Sequence, residues 1–308
     1  MGQYVLRRLL QMIPVVIGAT FIIYTLVWAI PGDPFAGRCG SRACPEAYVA
    51  QMTEKYNLDD PLPLAYIQYL GNILTGDFGE TFQGLSVGDE LIRAFPTTMW
   101  LALVAIGFEI IIGIAAGVLA GLRKGSFLDN LVLVSTLVVV SIPVFVIGSV
   151  LQLYLGVKWA IFPATVSGDV SFYSLLLPGF VLAALSLAYV ARLVRTSLVE
   201  NRRADYVRTA VAKGLPRSRV IGIHTMRNSL IPVVTFIGAD FGALLGGAIV
   251  TEGIFNVNGV GNLVFQSVIA RDGVMVTGVV TVLVLVFLLV NLLVDLLYGV
   301  LDPRISHG

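Results

Sequence analysis

The sequence predicts an all-α membrane protein with six transmembrane helices and a long external loop after the first. Hydrophobic residues make up 57% of the 308-residue chain and charged residues 13%, with a mean hydropathy of +0.89. A water-exposed surface does not tolerate that balance, and disorder needs the opposite one. Six apolar runs reach about 20 residues, the length a helix needs to cross roughly 30 Å of hydrocarbon. The basic residues are divided unevenly between the two sets of connections.

The runs are residues 9–30, 98–122, 131–156, 174–194, 231–251 and 274–301. The first follows Arg7 and Arg8 as a secretory signal would. It is too long for a signal core and lacks a small-x-small cleavage site, so it reads as an uncleaved anchor. Lipoprotein processing at Cys39 also fails, because Arg38 stands where a small residue is needed. With six spans both termini share one side. That side also holds residues 123–130 and 192–231 and carries fourteen Lys and Arg, against six on the other. The positive-inside bias therefore puts both termini in the cytoplasm. The expected organisation is an anchor (1–30), an extracytoplasmic loop (31–97), a transmembrane domain (98–301) and a cytoplasmic tail (302–308).

The loop 31–97 holds nine acidic and four basic residues and the turn-rich strings Pro31-Gly32-Asp33-Pro34 and Pro61-Leu62-Pro63. Tyr56, Tyr66, Tyr69 and Phe78 supply aromatic surface to pack it onto the bundle or to dock an external partner. Cys39 and Cys44, the chain's two cysteines, fall in this loop. They are too few for a disulfide framework or a four-ligand zinc site. Outside the cytoplasm they form one local disulfide or remain two thiols.

Residues 192–231 concentrate nine of the 20 basic residues and are too polar to span. Within them, residues 205–213 place Tyr206, Val207, Ala210 and Val211 on one helical face while Arg208 and Lys213 project elsewhere. Asp205 suits a helix start, and Gly214 followed by Pro216 is a stop signal: a left-handed cap, then a missing donor. A helix of about nine residues is roughly 13 Å long and unstable alone. It needs a groove on a partner, unless it lies on anionic lipid or is merely the solvated positive face. No nucleic-acid partner is expected.

The residues also match a known pattern. Tyr4-Val-Leu-Arg-Arg-Leu-Leu, Ile30-Pro-Gly-Asp-Pro34, Asp205-Tyr-Val-Arg-Thr-Ala-Val-Ala-Lys-Gly-Leu215, His224-Thr-Met-Arg-Asn-Ser-Leu-Ile-Pro-Val233, Asn291-Leu-Leu-Val-Asp295 and Leu301-Asp-Pro-Arg304 resemble, essentially end to end, the permease subunits of dipeptide and oligopeptide ATP-binding-cassette importers, a family that includes nickel and glutathione permeases. The stretch 205–215 is similar to the EAA motif by which such permeases dock a cytoplasmic ATPase, with Arg208 in place of the glutamate and Pro232 18 residues after Gly214. In Ile254-Phe-Asn-Val-Asn-Gly-Val-Gly261, Asn258 replaces the family's usual proline, which predicts a looser external turn. The resemblance implies the type I permease fold in a bacterial inner membrane, and ATPase docking through Asp205, Tyr206, Val207, Arg208, Ala210, Lys213 and Gly214 in segment 195–231. It also implies a second permease, two ATPase subunits that bind ATP and Mg, an external binding protein and surrounding lipid as partners. The chain itself has no G-x-x-x-x-G-K-[ST] phosphate cradle, so no cofactor is expected in it.

Glu109, Asp240 and Asp295 fall inside the predicted spans, where a charge near the centre costs about 2.5–3.5 kcal/mol. Glu109 shares a face with Gly113, Gly117 and Gly121, a row suited to close helix contact. It serves a structural hydrogen bond or lines a path. Asp240 lies opposite the Gly238, Gly242 and Gly246 stripe and faces either a water-filled path or an inert partner. Asn291, Asp295, Tyr298 and Asp302 form a polar stripe on the last helix, directed at the bundle or at the second permease. Two alternatives to transport remain, an intramembrane enzyme and a non-transporting scaffold. For an enzyme the material is thin, with no H-E-x-x-H string and only His224 and His307. Substrate identity is not encoded in these patterns; peptides, nickel complexes, glutathione and haem all remain open.

Overall fold

The computed structural model describes residues 2–28, 44–56, 59–81, 84–166, 168 and 170–301. Among them five helices are long and apolar enough to cross a membrane, and a bent pair makes a sixth crossing.

The first crossing is α1 (Gly2–Trp28). Two loop helices follow, α2 (Glu46–Tyr56) and α3 (Leu62–Leu74). The second crossing starts earlier than its apolar run: α4 (Val87–Phe108) passes through a π-helical turn at Glu109–Gly113 into α5 (Ile114–Leu122), 36 residues in all. Hydropathy hid its first eleven residues because Asp89, Glu90 and Arg93 lie among them. Ser86 caps this start by accepting a hydrogen bond from Asp89 N at 3.3 Å, and Asp89 and Glu90 complement the helix dipole.

The third crossing is not the single straight helix that residues 131–156 predict. α6 (Phe127–Ser141) and α7 (Val144–Leu151, continued by a π-helical stretch to Lys158) meet at 101°. The break sits at Ile142, which is extended (φ −102°, ψ 128°) because the ring of Pro143 disfavours helical geometry in the residue before it. A run of apolar residues gives no sign of this bend.

α8 (Phe172–Asn201) is the fourth crossing, started by a Ser171–Ser174 capping box. It is the hub, with 67% of its apolar window buried, against 11% for the peripheral α1. Leu101 and Ala105 of α4, Val181 and Ala183 of α8, and Leu245, Ala248 and Phe255 form the main core. The glycine row behaves as its spacing predicts. A Cβ at Gly113, Gly117 or Gly121 would collide with Val190, Ala191 O and Val194, or Leu198 of α8, so the absence of side chains lets α5 and α8 approach backbone to backbone.

After the short helix α9 (Asp205–Ala212), a single turn α10 (Arg217–Arg219) leads through π-helical residues Val220–Thr225 into α11 (Met226–Phe255), the fifth crossing. A helix absent from the sequence reading, α12 (Val260–Ile269), lies between it and the last crossing, α13 (Gly273–Leu301). Of the second glycine stripe, Gly242 packs on Phe287 and Val290 of α13 whereas Gly246 has open space around it.

The loop between the first two crossings does pack onto the bundle. Tyr48, Val49, Met52 and Tyr56 of α2, with Phe78, cover the core formed by Val87, Val260, Met275 and Val279. Tyr66 and Tyr69 of α3 bond to α1 and α13.

Candidate functional site

At the basic end of the bundle, α8 continues past its apolar run to Asn201. Arg195 on this extension forms a bidentate pair with Asp129 of α6, Nε to Oδ1 at 2.7 Å and Nη2 to Oδ2 at 2.9 Å. Asp129 Oδ2 also accepts the Gly125 N–H at 2.8 Å. Arg202 donates to the carbonyl oxygens of Gly121 and Leu122, at 3.3 and 2.9 Å, where α5 leaves its last acceptors open. The nine basic residues of 192–231 therefore divide. Arg195 and Arg202 are spent on the turn at 121–129, Arg192 is half-buried on α8, and Arg203, Arg208, Lys213, Arg217, Arg219 and Arg227 stay exposed. Replacing Asp129 with alanine strands Arg195 and the Gly125 donor. Hydrogen bonds to charged groups are worth on the order of 1.5–3 kcal/mol, and a matching drop in thermal stability of the detergent-purified protein is expected, smaller for Asp129→Asn.

The helix expected at 205–213 is α9, and it ends as its sequence dictates. Gly214 takes φ +74°, its N–H bonds to Val211 O at 2.9 Å, and Lys213 N bonds to Thr209 O at 3.0 Å. Its apolar face is divided differently from the expectation that all of it needs a foreign groove. Val207 and Ala210 are buried against Val220 and Leu215 of the same chain. Tyr206 (39% exposed) and Val211 (60%) face outward with Asp205, Arg208 and Lys213. The Tyr206 hydroxyl donates to Asn201 Oδ1 at the end of α8, and Arg208 lies 3.5 Å from Asp205. α9 is thus clamped to its own chain along one edge and presents a mixed apolar and charged edge to the outside.

Inside the bundle the structure brings together two residues that the sequence treated separately. Glu109, fully buried at the start of the π-helical turn, faces Asp240 of α11, which also reaches Ser186 of α8. The two carboxyl groups are near enough to interact, yet neither Glu109 oxygen nor Asp240 Oδ2 has a partner in good hydrogen-bond geometry. Like charges so close and away from water are unfavourable, so this is a polar spot of the helix core and not a lipid-facing feature. The side chains of Asp295, Tyr298 and Asp302 lie outside the described ones, and Asn291 donates to Phe287 O of its own helix at 2.9 Å.

At the opposite end, sequence reasoning missed Glu252, which is fully buried one residue beyond the fifth apolar run. Its Oε1 accepts from Thr98 Oγ1 at 2.7 Å and its Oε2 from Asn262 N at 2.9 Å, while Thr98 Oγ1 accepts from Val260 N at 2.8 Å. A carboxylate and a hydroxyl from two crossings thus satisfy the open N–H groups at the start of α12. The turn before α12 is not looser for having Asn258. Asn256 takes φ 48°, Val257 N bonds to Glu252 O at 2.9 Å, and a Cβ at Gly259 would lie 2.5 Å from the Glu252 carboxylate. The readable signal was an acidic residue a few positions before a Gly-x-Gly helix start.

Elsewhere in the loop, Lys55 bonds to Glu80 at 2.7 Å and holds that carboxyl below its usual range. Cys44 carries no free thiol, and Cys39 lies outside the described residues. The string Gly84-Leu85-Ser86-Val87-Gly88 has the G-x-S-x-G spacing of a hydrolase nucleophile turn. Ser86 is instead the cap of α4. His224 lies at the other end of the bundle, and His307 lies outside the described residues.

The chain matches known proteins along its whole length. Residues 113–307 match the family described as binding-protein-dependent transport system inner membrane component, and residues 1–102 its N-terminal counterpart. The dipeptide transport system permease protein DppB of Escherichia coli K12 is 37% identical over 339 aligned residues, covering 100% of this chain and 99% of the relative. DppB of Bacillus subtilis is 36% identical, with 99% and 98% covered, and the oligopeptide transport system permease protein AppB of B. subtilis is 33% identical, with both chains covered in full. The multi-pass helical bundle is the type I permease fold. With that architecture and these relatives, the chain belongs to the binding-protein-dependent transport system inner membrane component family and is a permease subunit of an ATP-binding-cassette importer.

Proposed function

We propose that the chain forms, with a second permease of the same family, the path by which peptides or similar small solutes cross the membrane after delivery by an external binding protein. Two cytoplasmic ATPase subunits bind ATP and Mg and drive the cycle, and the basic end of the bundle, with both termini, faces them. The observation that carries this reading is the divided face of α9: Val207 and Ala210 fix it to its own chain, leaving Asp205, Tyr206, Arg208, Val211 and Lys213 on the outer edge. A helix held this way is a preformed knob that transmits a push from a partner into α8 and α11, because Tyr206 bonds to Asn201 and Val220 leads directly into the fifth crossing. The peptide class is supported by the names of the relatives, dipeptide and oligopeptide permeases. Glu109 and Asp240 are the favoured polar contributors to the path, with Asp295 a third. A Cys39–Cys44 disulfide staples the external loop.

The test separates the two edges of α9. Tyr206→Asp and Val211→Asp leave the permease folded in the membrane but lose ATPase co-purification and ATP-driven uptake. Gly214→Leu does the same by straining a left-handed residue, at about 1–2 kcal/mol. Val207→Asp instead lowers the stability of the permease itself. Uptake and ATPase recovery at parental levels in both the Tyr206 and Val211 variants would refute the docking role. Substrate-stimulated cleavage without ATP would favour an enzyme instead.

A further inference from the structure

The helix α3 lies in the loop between the first two crossings, yet its contacts are made deep along the membrane helices. Gly273, which follows the charged Arg271 and Asp272 at the head of α13, sits level with Val27 and Trp28 at the end of α1, since a Cβ there would lie 2.9 Å from Val27 Cγ1. The Tyr66 hydroxyl donates to Ile17 O at 2.9 Å and lies 2.9 Å from Thr20 Oγ1. Ile17 is ten residues before Val27, about 15 Å along a helix. Tyr69 bonds to Thr277 O at 3.2 Å and lies 2.9 Å from Thr281 Oγ1, the latter about 12 Å beyond Gly273 on the same measure. These anchors fall in the half of the roughly 30 Å hydrocarbon layer on the long-loop side.

The opposite face of α3 carries Leu64, Ile67, Gly71 and Leu74 in a helical stripe, all exposed and all apolar. It continues the exposed apolar surface of α1 through Phe21, whose ring meets Tyr66 at 5.1 Å. The backbone suits immersion as well. Leu64 N and Ala65 N bond to Pro61 O, and Thr75, Gly76 and Asp77 N close onto Asn72 and Ile73 O, so each end satisfies several of its own polar groups, as immersion favours. Asp59 and Asp60 precede the helix and Asp77 follows it, so charged residues stand at both ends, and Gln68 donates to Asp60 Oδ2 at 3.1 Å.

We propose that α3 is a re-entrant wedge whose Leu64, Ile67, Gly71 and Leu74 stripe is covered by acyl chains of the leaflet on the long-loop side. The segment between the first two crossings is then part membrane, and α3 adds the Tyr66 and Tyr69 hydrogen bonds to α1 and α13, which also pack directly on one another. Spin labels at Leu64→Cys, Ile67→Cys, Glu54→Cys and Val15→Cys in the full importer complex, in phosphatidylethanolamine and phosphatidylglycerol nanodiscs, decide the matter by collision accessibility. Labels at 64 and 67 are expected to favour oxygen over a nickel chelate, as at lipid-facing 15 and opposite to water-facing 54. Preference for the nickel chelate would overturn the proposal in favour of a water-exposed face. Low accessibility to both reagents would overturn it in favour of a protein partner. Retained ATPase activity in each labelled complex excludes misfolding as the cause.

Discussion

Replacing Gly117 with leucine is expected to abolish accumulation of the folded permease. The first added carbon would lie 2.5 Å from Ala191 O and 2.6 Å from Val194 Cβ, and a backbone carbonyl inside the central helix cannot move aside. Overpacking a well-filled core costs about 1–3 kcal/mol and occasionally more. Here the only relief is to separate α5 from α8, which would also strain the Arg202 bonds to Gly121 and Leu122. Gly107→Ala is the matched control, because a Cβ there meets nothing within 4 Å. It is expected to be neutral. Membrane yield and size-exclusion profiles of the two variants check the contrast; a monodisperse Gly117→Leu protein at parental yield would refute close helix contact.

Replacing Glu252 with alanine is expected to abolish uptake while leaving ATPase co-purification intact. The change removes the acceptor for the Thr98 hydroxyl and the Asn262 N–H, both buried. Each donor stranded in this way costs about 1–3 kcal/mol. The start of α12 is then detached from α4 and α11 at the end of the bundle remote from α9, so the defect lies in the passage and not in docking. Glu252→Gln keeps one acceptor oxygen and is expected to be intermediate. Hydrogen exchange across residues 256–266 in the reconstituted complex reads the loosening directly. Unchanged protection in the alanine variant would show that the carboxylate does not hold the helix.

The parts that were legible in the sequence share a cause. The six crossings follow from hydropathy, the end of α9 from Gly214 and Pro216, and the suitability of α5 for close helix contact from glycines four residues apart. Each is a property of one stretch of chain. The parts that were not legible are meetings. Arg195 and Asp129 are 66 residues apart and Thr98 and Glu252 are 154 apart, and nothing local marks either pair. Glu109 and Asp240 were each placed on a helix correctly, but only the packing of the π-helical turn 109–113 and α11 on α8 turns them toward one another. The bend at Pro143 was hidden for a different reason: hydropathy counts residues without regard to backbone direction, so two apolar helices at an angle read as one.

The sequence alone determined that this chain lives in a bilayer, how many times it crosses and which connection concentrates the basic residues around a short helix. Transfer from water to lipid and the conformational limits of glycine and proline act residue by residue along the chain. The tertiary structure decided which carboxylates are clamped, which edge of α9 stays free and how deep the loop tyrosines reach. Those outcomes depend on distances between segments remote in sequence, which only packing of the helices establishes.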